Sequence, residues 1–348
     1  MIKFNHFIFF TIFILSIGCN YNLSTTPLKP IVVTKNVFGD SDDPAIWINE
    51  KYPDSSLILG IDKDKENGGV YIFDLKGNID SSKSKFGMKR VNNIDIANHF
   101  TYLNKDIAIA VATERDNNAI RIFSIPQMEV IDGGGIKVFT DDSLNLPMGI
   151  ALYTNPQNKK VYAIVGRKNG PREGYLYQYY LYDSSGVVKS KLVRKFGFYS
   201  GKKEIESIAV DNELGYVYYS DEQYGIRKYY ANPDSCNDEL AIFGKNDFKE
   251  DNEGISIYKN DDQTGYILVS DQSANSFNVY QREGIGKNKH QHDLIGKFEV
   301  SAKNSDGSDV NTFDLPGFNG GIFVVMSDNK TFHYYSWKQI MKKIKTIK

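Results

Sequence analysis

The sequence predicts an all-β fold, a six-bladed β-propeller with four strands in each blade and a ring closed by the N-terminal strand. An apolar run that ends on a polar pair recurs about every 50 residues, which is the size of a propeller blade. Each repeat contains short apolar stretches separated by turn residues, as hairpin strands do. The 348 residues also include 23 Tyr and 21 Phe, and aromatic residues favour strands.

The recurring run is the predicted second strand of each blade, at 57–63, 107–115, 161–168, 217–222, 267–272 and 322–329. A third strand follows across a short polar turn, at 70–73, 120–123, 175–180, 226–230, 277–280 and 332–335. A first strand precedes it, at 44–47, 94–96, 149–153, 207–210, 254–258 and 312–315. Apolar stretches such as 136–139 and 192–196 supply the fourth strand. Six units of four strands are expected to close into a ring.

The last repeat lacks a good fourth strand, whereas a strand candidate at 31–34 stands before the first repeat. We therefore expect 31–34 to pair with 332–335 and to complete blade six, because this pairing removes an open sheet edge. Residues 31–348 are expected to form a single domain.

The N-terminus has the pattern of an export signal. Lys3 precedes an apolar run at 7–17 that is too short to span a bilayer, for which about 20 residues are needed. Because the run ends just before Cys19, residues 1–18 are predicted to be a lipoprotein-type signal peptide and Cys19 the acylated first residue. The polar stretch 19–30 is predicted to be a tether. The protein is expected to be exported and lipid-anchored to the cell envelope, on the periplasmic or outer-membrane side, or secreted if Cys19 is not acylated.

The overall charge limits the possible partners. The formal net charge is -1, without the basic excess that is typical of nucleic-acid-binding proteins, so we expect no nucleic acid partner. The lipid at Cys19 is the only membrane contact that we expect. A closed ring gives no reason to expect obligate assembly, and the protein is predicted to be a monomer.

Propeller geometry brings the ends of the second strands and the starts of the first strands to the same mouth of the channel. The second strands bring Lys63, Arg115, Arg167, Lys168, Asp221, Glu222, Asp271 and Gln272. The first strands bring Asp42, Asp43, Asn92, Asn93, Met148, Glu206, Asp251 and Glu253. So many carboxylates would repel one another unless cations bind, and clustered hard oxygen ligands suit Ca²⁺. The basic groups beside them suit an anion that carries phosphate.

Six short strings, in order and at blade spacing, resemble the β-propeller phytases over about residues 40–328. They are DDPAIW at 42–47, NNID at 92–95, ATER at 112–115, ESIAVD at 206–211, DNEG at 251–254 and SDQ at 270–272. The resemblance implies a calcium-dependent phosphomonoester hydrolase that releases phosphate from phytate, myo-inositol hexakisphosphate, by attack of a metal-bound water. The expected substrate is calcium-phytate and the expected cofactor is several Ca²⁺ ions.

The resemblance also implies roles for individual residues. Calcium is expected to bind to Asp42, Asp43, Asp95, Glu206, Glu222, Asp251, Glu253, Gln272 and Asp306. Substrate phosphates are expected to bind to Lys63, Arg115, Arg167 and Lys168. The residues expected to be catalytic are Lys63, Arg115, Glu206 and Glu222.

Two positions depart from the family pattern. Met148 stands where a Tyr is common, so one phosphate hydrogen bond is expected to be missing. Asn311 stands where an Asp is expected in the acidic segment of blade six, and a calcium site there is expected to be weakened. Asp306 and Asp309 remain the candidates from this segment.

Two other functions compete with this interpretation. A calcium-dependent propeller lactonase or esterase would also use a central cation with carboxylate and Asn ligands, but it would not need a basic half beside the acidic half. A non-catalytic propeller that binds a partner at the cell surface would leave Lys63, Arg115 and Lys168 unexplained. Two further phosphatase types are excluded, because no His in the chain lies between Arg and Gly and Cys236 has no Arg six residues later.

Overall fold

The computed structural model describes residues 26–346 and shows six sheets arranged as blades of a β-propeller. Blade one contains Ser41–Trp47, Leu57–Asp62, Gly68–Phe73 and Lys85–Met88. Blade two contains Val91–Tyr102, Lys105–Glu114, Ala119–Ile125 and Ile136–Lys137, with Glu129–Val130 as an extra strand. Blade three contains Pro147–Thr154, Val161–Arg167, Glu173–Ser184 and Val187–Phe198.

The second half of the ring repeats this order. Blade four contains Ile208–Asp211, Tyr216–Asp221, Gly225–Tyr230 and Ala241–Phe243. Blade five contains Asn252–Lys259, Gly265–Asp271, Ser276–Gln281 and Leu294–Glu299, with Lys345–Thr346 as an extra outer strand. Blade six contains Ser308–Asn311, Ile322–Ser327, Thr331–Ser336 and Val32–Val33. The predicted fold class, with six blades of four strands, is confirmed.

Helical segments are few and short in residues 26–346. Three 3₁₀ turns lie at Pro53–Ser55, Arg115–Asn117 and Gln272–Ala274, and an α-helix lies at Trp337–Met341. In this part of the chain, no helix has the length and apolar character that crossing a membrane requires.

The N-terminal strand closes the ring as predicted. Val32 lies opposite Tyr334 in an antiparallel pair. The Thr34 N–H donates to the Phe332 carbonyl at 3.0 Å, and the Phe332 N–H donates to the Thr34 hydroxyl at 2.9 Å. Blade six is therefore built from both ends of the described chain.

The end of the stretch expected to be a tether contacts blade five. The Leu28 N–H donates to the Glu299 carbonyl at 2.8 Å, and the Leu28 side chain packs with Phe298 and Val300. Burial of this side chain stabilises the contact between the segment and blade five through the hydrophobic effect. The predicted signal peptide and Cys19 lie outside the described residues.

The first strand of blade six is Ser308–Asn311, so the prediction of 312–315 was wrong. The Asn311 side-chain oxygen accepts from the Phe313 N–H at 3.0 Å, and Leu315 pairs with Phe318 in an isolated bridge, so a turn follows the strand. Leu315 is apolar because it packs between blades six and one beside Ile46. Its hydrophobicity reflects packing between blades and not strand pairing.

The core lies between neighbouring blades. Between blades five and six, Phe277 and Phe298 stack with ring centroids 5.5 Å apart, and Phe323 meets Phe277 edge to face at 4.9 Å. Such pairs add to the free energy gained from burying large apolar surfaces. This packing holds blade five against blade six, and clusters of buried apolar residues do the same between the other neighbouring blades.

Candidate active site

An irregularity at the start of the first strand shapes the mouth in four blades. The pairing register shifts between Ser41 and Pro44, Val91 and Ile94, Pro147 and Ile150, and Asn252 and Ile255. A β-bulge of this kind bends the strand and re-aims side chains. The residues inside the four irregular segments are Asp42, Asp43, Asn92, Asn93, Met148, Gly149, Glu253 and Gly254. Five of the polar residues predicted at the mouth, Asp42, Asp43, Asn92, Asn93 and Glu253, therefore share one structural cause.

Two glycines allow the blades to approach closely at this point. A Cβ added to Gly149 would lie 2.0 Å from the Glu206 carbonyl oxygen of the next blade. A Cβ added to Gly307 would lie 2.4 Å from the Asp43 side chain. Neither distance leaves room for a side chain, so these glycines set the spacing between blades at the mouth.

Acidic residues at the ends of the second strands hold the loops that lead into the first strands. Asp62 accepts from the Gly39 N–H at 2.7 Å and from the Asp40 N–H at 2.9 Å. Asp221 and Asp271 accept in the same way from loop N–H groups. These carboxylates satisfy buried backbone donors. The residues that follow them in the chain are Lys63, Glu222 and Gln272.

Arg167 occupies the equivalent position in blade three and does not reach the mouth. Its side chain is fully buried, and its guanidinium pairs with Asp142 at 2.8 Å and donates to the Leu144 carbonyl at 2.9 Å. It also lies over the Phe139 ring at 4.7 Å. Arg167 therefore holds its loop as Asp62 does, but it is a cation that meets a loop carboxylate and a loop carbonyl. This placement does not fit the substrate-binding role expected for Arg167.

Lys63 joins blades one and six at the mouth. Its ammonium lies 2.7 Å from Asp306 and 3.6 Å from Asp42. The Gln272 amide donates to the other oxygen of Asp306 at 2.5 Å, which adds blade five to the group. Burial lowers the pKa of Lys63, but the charges of Asp42 and Asp306 outweigh burial and raise it overall. Lys63 is thus held as a cation within the acidic wall.

Arg115 is a buried cation without a carboxylate partner among the described ion pairs. Its guanidinium contacts the Met148 sulfur, and its Nε has no hydrogen-bond partner in the described part of the chain. Burial is the largest cause of a lowered pKa at Arg115. An anion at the mouth would meet an unused donor here.

Two groups of carboxylates in blades four and five could hold metal ions. Each group contains three side chains with ligand atoms within 4.8 Å of one another, namely Glu204 with Glu206 and Glu222, and Glu222 with Asp251 and Glu253. Glu222 belongs to both groups. Lys168 pairs with Glu204 at 2.5 Å.

The donor set at the mouth fits a hard cation. Five buried oxygens at the mouth have neither a hydrogen-bond partner nor an ion pair within the described residues, namely Asp42 Oδ1, Asn92 Oδ1, Asn93 Oδ1, Glu222 Oε1 and Glu253 Oε2. A buried oxygen without a partner costs free energy. Carboxylate and amide oxygens are the ligands that Ca²⁺ takes in proteins. These five oxygens, and the preference of Ca²⁺ for such ligands, are the reason to expect a hard cation at the mouth.

Burial raises the pKa values of the carboxyl groups at the mouth. The pKa of Glu206 rises to about 7, through burial first and then through the charge of Asp306. The pKa of Glu222 rises to about 8, through burial that outweighs its hydrogen bond to Lys203. Glu253 and Asp42 are shifted upwards by burial as well, with pKa values well above the ordinary range. A divalent cation would stabilise the ionised forms.

Asp43 and Asp95 lie along the central channel, in the first strands of blades one and two. Asp43 accepts from the Ile94 N–H at 3.2 Å, and Asp95 accepts from the Leu152 N–H at 2.6 Å. Asp309 does the same for the Ile46 N–H at 2.8 Å. Each carboxylate therefore accepts an N–H from within the first strand of the next blade. The structure places Asp95 outside both three-carboxylate groups.

Lys203 and Glu204 belong to the site but were not predicted from the sequence. Both lie in the loop before the first strand of blade four, just ahead of Glu206. The loop has no periodic pattern that orients its side chains, so their place could not be derived from blade spacing. The one available signal was the concentration of charge in the string KKEIE at 202–206.

The fold and this mouth define a six-bladed propeller with a pocket of carboxylates and cations at one end of its channel. A phytase family model matches residues 26–346. A curated 3-phytase of Bacillus subtilis (strain 168) is 30% identical over 328 residues, which cover 86% of this chain and 80% of the relative. The chain belongs to the phytase family, and it is a phosphoric monoester hydrolase.

Proposed function

We propose that the protein releases phosphate from phytate in a calcium-dependent reaction. The observation that carries this proposal is the presence, at one mouth, of unsatisfied carboxylate and amide oxygens together with the buried Arg115, which has no ion pair among the described residues. The family membership and the 3-phytase relative support the substrate. A highly phosphorylated inositol suits a site that offers metal cations together with guanidinium or ammonium groups, because these groups make strong charge-assisted hydrogen bonds to phosphate.

Calcium would be held by the unsatisfied oxygens of the mouth, on Asp42, Asn92, Asn93, Glu222 and Glu253, with Glu206, Asp251, Asp306 and Gln272 beside them. When bound, it supplies positive charge that offsets the carboxylates and polarises phosphate oxygens and water. The residues themselves set where this charge can sit, because the bulges and Gly149 fix their positions.

The basic residues would bind and orient the substrate. Arg115 offers a planar set of donors, suited to two oxygens of one phosphate. Lys63 and Lys168 hold point charges at neighbouring places on the rim. As charge develops on the phosphoryl oxygens in the transition state, fixed donors such as Arg115 stabilise it. Arg167 has no part in this arrangement because it is buried away from the mouth.

Phosphate release from calcium-phytate by residues 26–348 tests the proposal. Release is expected with calcium and is expected to stop when a chelator is added, then to return when excess calcium is restored. A second substrate, an inositol monophosphate, tests whether a crowded phosphate array is needed. Release that persists in chelator would contradict the calcium dependence. If the folded protein released phosphate from neither substrate, the assignment of phytate as the substrate would be wrong.

The cellular location remains a proposal based on the sequence. Residues 1–18 have the pattern of a lipoprotein signal, and Cys19 would carry the lipid. Labelling of the full-length protein with a fatty acid analogue, compared with a Cys19→Ala variant, tests this. Label that persists in the variant would contradict the assignment of Cys19.

A further inference from the structure

Lys203 lies in the middle of one of the two carboxylate groups. Its ammonium is 2.9 Å from Glu222, 2.7 Å from Asp251 and 3.6 Å from Glu253. These three side chains form one of the two groups whose ligand atoms lie close enough together to hold a metal ion. The chain therefore places a cation of its own where a metal ion would bind.

The ammonium does not satisfy the group completely. Glu222 Oε1 and Glu253 Oε2 remain buried without a hydrogen-bond partner in the described part of the chain. An ammonium carries three donors, whereas the three carboxylates offer six oxygens. The group therefore retains unused oxygens with Lys203 in place.

The side chain of Lys203 is able to leave. It is 36% exposed and projects from a loop, whereas Glu222 is fully buried. A lysine ammonium sits on a flexible four-carbon stem and is strongly hydrated, so solvent can receive it. Its neighbour Lys202 already points elsewhere and donates to the Gln223 carbonyl at 2.8 Å.

We propose that Lys203 is a built-in counter-cation that occupies the site of Glu222, Asp251 and Glu253 until a divalent cation displaces it. This inference rests on the calcium dependence proposed above. While it is bound, Lys203 offsets the repulsion among the carboxylates and stabilises the calcium-free fold. It also competes with calcium for the same oxygens, so it lowers the affinity of this site.

A calcium titration of Lys203→Met, followed by calorimetry, tests the competition. Calcium is expected to bind to this site about tenfold more tightly than in the wild type, as for the loss of a competing interaction of about 1.4 kcal/mol. Lys202→Met is the matched control, because it removes an adjacent charge that does not touch the carboxylates. Equal affinities in Lys203→Met and the wild type would overturn the proposal.

Thermal unfolding provides a second readout that does not need catalysis. In chelator, Lys203→Met is expected to melt at a lower temperature than the wild type, because three carboxylates lose their counter-cation. In saturating calcium the difference is expected to shrink, since binding to the folded state raises the melting temperature by mass action. A Lys203→Met protein that is as stable as the wild type in chelator would contradict the counter-cation role.

Amine acylation followed by mass spectrometry detects the displacement itself in the wild-type protein. Acylation of Lys203 is expected to be slow in chelator and several-fold faster in calcium, while acylation of Lys202 stays constant. Calcium that binds without exposing Lys203 to the reagent would overturn displacement and leave the proposed phytase reaction intact. A wild type that releases phosphate from phytate but binds no calcium would overturn displacement and the calcium dependence together.

Discussion

Arg115 differs from the other basic side chains of the mouth in its surroundings. Lys63 and Lys168 each pair with a carboxylate, whereas the buried Arg115 has no such pair among the described residues and an unused Nε. Burial of this charge destabilises the free protein, and the charges of Glu206, Asp42 and Glu204 offset only part of that cost because burial still lowers the pKa of Arg115 overall. An anion that binds there therefore meets a group already stripped of water.

Replacement of Arg115 by Ala is expected to lower kcat/KM for phytate by about a hundredfold or more, because a fixed donor to the phosphoryl group is lost. The melting temperature in chelator is expected to change little, since removing a buried charge is offset by the loss of its attraction to Glu206, Asp42 and Glu204. Steady-state kinetics and thermal unfolding measure the two effects. Arg115→Lys keeps the charge but loses the planar donors, and is expected to be intermediate. Loss of calcium binding in Arg115→Ala would indicate that Arg115 supports the calcium site instead of binding the substrate.

The sequence was sufficient for residues whose place follows from blade spacing. Lys63, Glu222 and Gln272 directly follow second strands, and the repeat predicted that they meet at one mouth. Arg167 shows the limit. Like Asp62, it is the first residue of its polar pair and holds a loop, and blade spacing alone does not say which residue of a pair faces the mouth. Lys203 lies in an irregular loop, where no period predicts the direction of a side chain.

At the scale of strands, the bulges explain how the mouth acquires its ligands. A regular strand would point adjacent residues to opposite faces, whereas Asp42 and Asp43 lie within a register shift. Their pairing could not be read from the sequence, because a bulge adds one residue without changing the apolar pattern around it. The strand at 308–311 was missed for a related reason, since the apolar residues just after it pack between blades.

Gly149→Ala is expected to reduce the free energy of unfolding by about 1–3 kcal/mol, as overpacking does. The added Cβ would lie 2.0 Å from the Glu206 carbonyl oxygen, so the two blades must separate. Activity is expected to fall as well, because Glu206 moves. Denaturant unfolding and phosphate release measure these effects.

Gly166→Ala is the control for this prediction, because it lies in the paired strand of the same blade and its Cβ would meet the Ile205 carbonyl at 3.1 Å. A smaller loss of stability is expected. If both variants lost the same stability, the close approach at Gly149 would not be what sets the spacing of the blades.

At the scale of the whole molecule, buried carboxyl groups with raised pKa values make the calcium-free ring sensitive to pH. Glu206 and Asp309 have pKa values of about 7 and Glu222 of about 8, with burial as the first cause in each case. Unfolded glutamate and aspartate have pKa values of about 4. Between these values the folded state binds more protons than the unfolded state, so stability falls as pH rises.

In chelator, the free energy of unfolding is expected to fall between about pH 5 and pH 8, by more than the 1.36 kcal/mol that corresponds to one pKa unit. In saturating calcium this loss is expected to disappear or to reverse, because calcium binds to the ionised carboxylates. Thermal unfolding at several pH values, with and without calcium, measures both trends. A calcium-free protein that gains stability towards pH 8 would contradict the raised pKa values.

The closure of blade six by residues from both ends has a consequence for synthesis. Thr34 and Phe332 are 298 residues apart, so the ribosome must synthesise the whole stretch between them before the last sheet can form. A chain that stops short of 331–336 leaves the 32–33 strand without its partner and the neighbouring blades with open edges, which invite pairing between molecules. Premature termination would therefore yield fragments that associate through these open edges instead of smaller propellers. Only a chain extended past 331–336 could place the 32–33 strand in blade six.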